Sequence, residues 1–259
     1  MNSAKVTGPR ARMRSRRILT NSFFSGSSMY GIITHFLTKQ FGARRGTLKR
    51  APTPNFWGGA VRRKEFEVLD RGRMEEVLKE ADVGYLAFNG PDGWPRITAL
   101  NFFYDRRILW HGAVAGERFE CLKKDPRATF SAACLQLYLP SHLLSEENAT
   151  SATAAFKSVA VRGKCMTIDD PEEKCSLLNR LMEKYQPEGR FKKITPEDPL
   201  YSKVLKATGV YALTVEEMSG KFKFAQNKSS EDRRRLADIL KKRGSALDSQ
   251  LAEEILKTL

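Results

Sequence analysis

The run from Trp110 to Arg118 (Trp-His-Gly-Ala-Val-Ala-Gly-Glu-Arg) combines residue types that suit an anionic ligand. Small residues let a backbone come close to a bound group. Free N–H groups at a helix start favour negative charge. An arginine in the first helical turn, Arg118, can give two parallel hydrogen bonds to phosphate oxygens. Glu117 would repel a phosphate unless it points away. His111 can donate a proton or orient a substrate, or simply fill space beside Trp110. The aromatics Trp94, Phe102, Phe103, Tyr104 and Trp110 either stack on a planar ligand or build a core or subunit interface. The other two histidines, His35 and His142, read as solvated.

These residues need strands and a helix to hold them. Residues 72–81 read as a short amphipathic helix, with Met74, Val77 and Leu78 on one face. Strands follow at 83–88, 94–104 and 108–111, separated by the turn signals Asn89-Gly90-Pro91-Asp92-Gly93 and Asp105-Arg106-Arg107. Residues 112–116 form a loop, and Glu117 to Lys124 a helix closed by Asp125-Pro126. Residues 128–139 and 156–166 read as strands around a polar loop at 140–153. Asp170 is a plausible helix N-cap before Pro171, and that helix aligns Leu177, Leu178, Leu181 and Tyr185. A loop is predicted over 187–199, a final hairpin from 209–215 and 221–224, and helices from 230 to the end, broken at Gly244-Ser245. Strands and helices do not alternate regularly, and no GxGxxG or P-loop occurs. The expected fold is therefore mainly β with helical additions, an antiparallel barrel rather than a doubly wound sheet.

The net charge of +15 suggests nucleic acid, but its distribution does not. Residues 1–64 contain 14 Lys and Arg and no acid; the rest holds 31 basic against 30 acidic residues. The basicity belongs to the N-terminal segment and predicts no nucleic-acid groove. Arg233-Arg234-Arg235 and Lys241-Lys242-Arg243 are interleaved with Glu231, Asp232 and Asp238, as on solvated helix faces. No apolar run is long enough to predict a membrane span. Cys121, Cys134, Cys165 and Cys175 show no CxxC spacing and read as reduced, buried thiols with no metal site. Residues 1–60 read first as a disordered tail or a stretch ahead of a downstream start, then as a transit peptide, then as an export signal. The body reads as cytoplasmic, or organelle-targeted if the tail is a transit peptide.

Four stretches resemble the pyridoxamine 5′-phosphate oxidase-like flavoproteins, and within them the nitroimidazole-resistance branch. They are Val61-Arg-Arg-Lys-Glu-Phe-Glu-Val; Gly93-Trp-Pro-Arg-Ile-Thr-Ala-Leu-Asn-Phe-Phe-Tyr with Ile108-Leu-Trp-His-Gly-Ala; Lys157-Ser-Val-Ala-Val-Arg-Gly163; and Gly220-Lys-Phe-Lys-Phe-Ala-Gln-Asn-Lys228. Together they span residues 61–228, leaving 229–259 as a C-terminal helical extension.

The resemblance implies an FMN-binding split β-barrel, a homodimer with FMN at the interface, and an FMN-dependent oxidoreductase acting on small planar nitroaromatic compounds. The alternative is a flavin- or haem-binding sensor without turnover, and a third possibility is a deazaflavin-using reductase. Carried onto this sequence, Arg96, Ile97, Thr98 and Asn101 lie along the flavin ring. Trp110, His111 and Gly112 end the neighbouring strand, with His111 at the reacting end. Arg118 holds the phosphate, Ser158 supplies a polar contact, and Lys221 and Gln226 reach in from the closing strand. Two features depart from the family pattern: Glu117 stands where many relatives have a second basic residue, and Ala99 where they often have proline.

Overall fold

The computed structural model describes residues 61–259. The predicted tail at 1–60, with His35, lies outside the described residues.

A short 3-10 turn (Lys64–Phe66) leads into β1 (Glu67–Val68). Helix α1 (Arg71–Glu80) is capped by Asp70, whose carboxylate accepts from the Arg73 N–H, and buries Met74, Val77 and Leu78 as their spacing requires. Then come β2 (Val83–Asn89), β3 (Pro95–Asn101), β4 (Phe103–Asp105) and β5 (Arg107–Ala113). Helix α2 (Glu117–Lys124) precedes the long strands β6 (Arg127–Leu139) and β7 (Thr153–Ile168). Helix α3 (Pro171–Tyr185) starts at Asp170, as predicted. Helix α4 (Pro199–Ala207) leads into β8 (Thr208–Lys223), and α5 (Ser230–Arg243) and α6 (Ala246–Leu256) end the chain.

Eight strands form one antiparallel sheet in the order β3-β2-β6-β7-β8-β5-β4, with β1 added to β8. The sheet is not closed. Yet β3 and β4, at opposite ends of that order, are joined through Phe102 alone. Asn101 and Phe103 are two Cα steps apart, at most about 7 Å, so the two edges must come together there. The sheet is a rolled barrel with an open seam, the split barrel expected from the sequence.

Three predicted boundaries change. The strand expected over 94–104 breaks at Phe102, because the chain crosses there from one sheet edge to the other. The hairpin expected over 209–224 is one continuous strand. It bends at a bulge opposite Arg162 and Gly163, where Val215 to Glu217 change register without reversing the chain. The stretch after Pro199, given no structure from the sequence, is α4, with Asp198 as its N-cap.

The main core fills the barrel: Leu86, Phe102, Trp110, Phe130, Val161 and Leu213 pack with Val77 and Leu78 of α1. Leu236 and Leu240 of α5 and Leu251 and Ile255 of α6 belong to the same core. The C-terminal helices are thus integral to the barrel. Buried Glu254 of α6 meets Arg73 at 3.5 Å, Lys157 at 3.5 Å and Lys257 at 3.1 Å. A second cluster lies outside the barrel wall, where α3 lays Leu177 and Leu181 over Phe103, Leu109 and Val210.

Candidate functional site

The open seam brings together most of the residues singled out in the sequence. Strand β4 covers only Arg107 to Leu109 of β5, so Trp110 to Ala113 have no neighbour on that edge. Strand β3 pairs only with β2. Each edge therefore presents unpaired backbone N–H and C=O groups, which must meet water or a ligand. Across the seam, Arg96 Nε of β3 donates to Glu117 Oε1 of α2 at 3.0 Å. Arg96 also pairs with Asp92 at 3.1 Å. Glu117 is thus paired with Arg96, whose charge offsets the repulsion expected at a phosphate.

Arg118 is the opposite case. It is half-buried and has neither a hydrogen bond nor an ion pair among the described residues. Its guanidinium lies against Gly112: a Cβ built there would come within 2.2 Å of Nη2. Gly116, at φ +103, starts α2 with no side-chain cap, so the first N–H groups of the helix stay open. A bare arginine beside an uncapped helix start is a cradle for an oxyanion.

Strand alternation sorts the remaining residues. The Trp110 indole is fully buried and stacks on Tyr211, centroids 5.7 Å apart, so only its backbone faces the seam. His111 points outward and is exposed. Ile97 is 70% exposed, and Thr98 and Asn101 lie on the same strand.

Ser158, Lys221 and Gln226 do not reach this group within one chain. Asn101, Val83, Ser158 and Lys221 lie on one row across the sheet, which puts Ser158 about 14 Å from Asn101. Val210, the partner of His111, is eleven residues before Lys221, about 36 Å along β8. Ser158 Oγ donates to Lys221 O at 3.2 Å. The Gln226 amide accepts from Phe224 N at 2.6 Å and donates to Phe222 O at 2.9 Å, clamping the strand end.

The sequence missed what holds the seam. At the Phe102 break, Tyr185 Oη of α3 accepts from Phe102 N at 2.8 Å and faces the carbonyls of Asp82 at 2.6 Å and Phe102 at 2.8 Å. Lys184 Nζ donates to Ala81 O at 2.7 Å and Phe102 O at 3.0 Å, and sits 4.4 Å above the Phe102 ring. Burial holds the Lys184 pKa below its ordinary value. The only sequence signal was a tyrosine ending an otherwise leucine-lined helix face. Tyr185→Phe should leave the Phe102 N–H without its acceptor and lower stability by about 1–3 kcal/mol. An unchanged urea midpoint would show that the break needs no latch.

Burial pushes Cys134 up to about 12, helped by a hydrogen bond to Glu80, and pushes Cys165 up to about 12. Among the described residues, no group of three or more His, Cys, Asp and Glu side chains could hold a metal ion, and no helix is long and apolar enough to cross a membrane.

A sequence model of a family described as pyridoxamine 5′-phosphate oxidase matches residues 70–222. No match is found among curated proteins. Among solved structures, a flavocytochrome from Azotobacter vinelandii is similar at 20% identity and TM-score 0.54, over 71% of this chain and 78% of that one. An FAD- and haem-binding protein of Mycobacterium smegmatis is similar at 19% identity and TM-score 0.53, over 64% and 78%. A proposed 5-nitroimidazole antibiotic resistance protein of Bacteroides thetaiotaomicron is similar at 20% identity and TM-score 0.50, over 60% and 85%. At these identities the likeness is one of fold.

Proposed function

The chain belongs to the pyridoxamine 5′-phosphate oxidase family, and from that premise we propose that it is a flavin-dependent oxidoreductase holding FMN in the seam between β3 and β5. The observation that carries the reading is the unpaired Arg118 guanidinium over Gly112, beside the open start of α2. These groups suit the FMN phosphate. The free edges of β3 and β5 suit the polar rim of the ring, over Arg96 to Asn101 and Trp110 to Gly112. Bound flavin would supply one- or two-electron transfer. His111, exposed at the end of β5, is suited to hold or deliver a proton to a small planar acceptor. Nitroaromatic compounds are the proposed substrate class, supported by the naming of the Bacteroides relative.

The site calls for a second chain. Ser158 and Lys221 are too far along the sheet to meet Arg118's ligand in the same protomer, so they would approach it only from a partner. The outer face of β3, β2, β6 and β7 fits that role. No helix of the second core cluster covers it; it carries the small residues Ala87, Ala99, Ser131, Ala133 and Ala160, and it exposes Tyr85 at 53% and Ile97 at 70%. An exposed face of small and apolar side chains is what a homodimer buries. Sedimentation equilibrium should give twice the chain mass, and Ile97→Glu should shift it towards one. A monomer that still binds FMN tightly would overturn the shared site.

The reading is tested by adding FMN to the purified protein and recording the visible spectrum. Stoichiometric uptake with quenched flavin fluorescence is expected, whereas a Soret band in the protein as isolated would favour haem. His111→Ala should keep FMN bound while slowing reduction of a nitroaromatic acceptor by about 10²-fold or more. Equal rates in the variant would remove His111 from proton transfer.

A further inference from the structure

A second recess, away from the seam, has a composition that the flavin reading does not explain. It encloses about 190 Å³ at the end of β8, under the loop that joins β6 to β7. Arg63, Lys223 and Lys228 line it together with Thr150, Ser151 and Thr153. Among its described lining residues there is no Asp or Glu, and four leucines, Leu139, Leu143, Leu144 and Leu236, form its apolar part.

Arg63 has a counter-ion outside the recess, Glu65, at 2.6 Å. The two lysines have none: neither Lys223 nor Lys228 makes a side-chain hydrogen bond or ion pair among the described residues. Burial lowers the pKa of Lys223, and the charges of Lys221 and Arg63 lower it further. In this partly apolar recess without a carboxylate, the Lys223 ammonium loses hydration and is repelled by Lys221 and Arg63. An anion relieves both costs at once. The backbone at the rim is also fixed in an uncommon form, since Ala225, which lines the recess, has φ +62.

We infer that this recess is a binding site for a small tetrahedral oxyanion, phosphate or sulfate, held by Lys223 and Lys228 with the hydroxyls of Ser151 and Thr153. At about 190 Å³ the recess has room for a free oxyanion together with water. The site is independent of the seam, where Arg118 is the candidate anion holder.

The test is equilibrium dialysis of labelled inorganic phosphate against the full chain, in low-salt buffer free of phosphate and sulfate. FMN loading is followed by absorbance in the same samples, so the two readings fail separately. One phosphate per chain is expected in addition to any FMN, displaced by sulfate. Lys223→Gln and Lys228→Gln should each weaken it about tenfold or more, Lys223→Arg should retain it, and Arg118→Gln should leave it unchanged. Absence of saturable binding by the unmodified protein overturns the proposal. So does binding that survives both lysine variants, and so does binding that Arg118→Gln abolishes, which would assign the phosphate to the seam.

Discussion

Arg118→Gln should weaken FMN by about 10- to 100-fold while leaving riboflavin affinity unchanged. The guanidinium is half-buried and has no partner among the described residues, so nothing in the protein competes with a ligand for its donors. A charge-assisted contact of this kind contributes about 1.5–3 kcal/mol, which sets the expected range. Glutamine keeps a donor and most of the stem but removes the charge. Riboflavin lacks only the phosphate, so the pair of ligands isolates that group. Gly112→Ala supplies an independent check. Its Cβ would fall 2.2 Å from Nη2, at the far end of a flexible side chain, so the arginine must swing away while the strand stays. FMN should weaken in this variant too, with an unchanged unfolding midpoint. Both ligands weakening equally in Arg118→Gln would move Arg118 from the phosphate to the ring.

Why Arg118 was legible in the sequence while its companions were not is a matter of range. The contrast between a glycine-bounded loop and the first turn of a helix is local, and α2 forms over the span read from the sequence, Glu117–Lys124. His111 and Trp110 fall on the strand read for them for the same reason, although alternation places one outside and one inside the barrel. The Arg96–Glu117 pair spans 21 positions and crosses the seam, so only the rolled sheet reveals it. Tyr185 and Lys184 reach across more than 80 positions to Phe102. The position of Ser158 and Lys221 depends on how four strands register, which no local pattern encodes. The hairpin misread in β8 has the same origin: a bulge in a long strand and a turn between two short ones look alike until the partner strand is known.

That bulge is where the largest loss of stability is expected. Gly163→Ala should cost about 3 kcal/mol or more, measured as a fall in the urea midpoint at constant slope. The reason is the identity of the obstacle. A Cβ on Gly163 would lie 1.7 Å from Thr214 O and 2.9 Å from Thr214 C, and both are backbone of the neighbouring strand. No rotamer change can clear them; β7 and β8 must part. Gly93 is the contrasting case: it has φ +82 and nothing within 4 Å of its Cβ, so Gly93→Ala should cost only about 1–2 kcal/mol through backbone strain. The bulge also has a place in the site. Thr214 is the last residue of β8 to pair with β5, opposite Arg107, and from Val215 onward β8 has left that neighbour. The bend at Gly163 therefore helps set the direction in which β5 returns towards β3, and with it the width of the seam. Any Gly163→Ala protein that still folds should bind FMN less well, although no seam residue has changed. A variant that keeps both its midpoint and its FMN affinity would show that the strands slide past the added methyl and that the bulge does not set the seam.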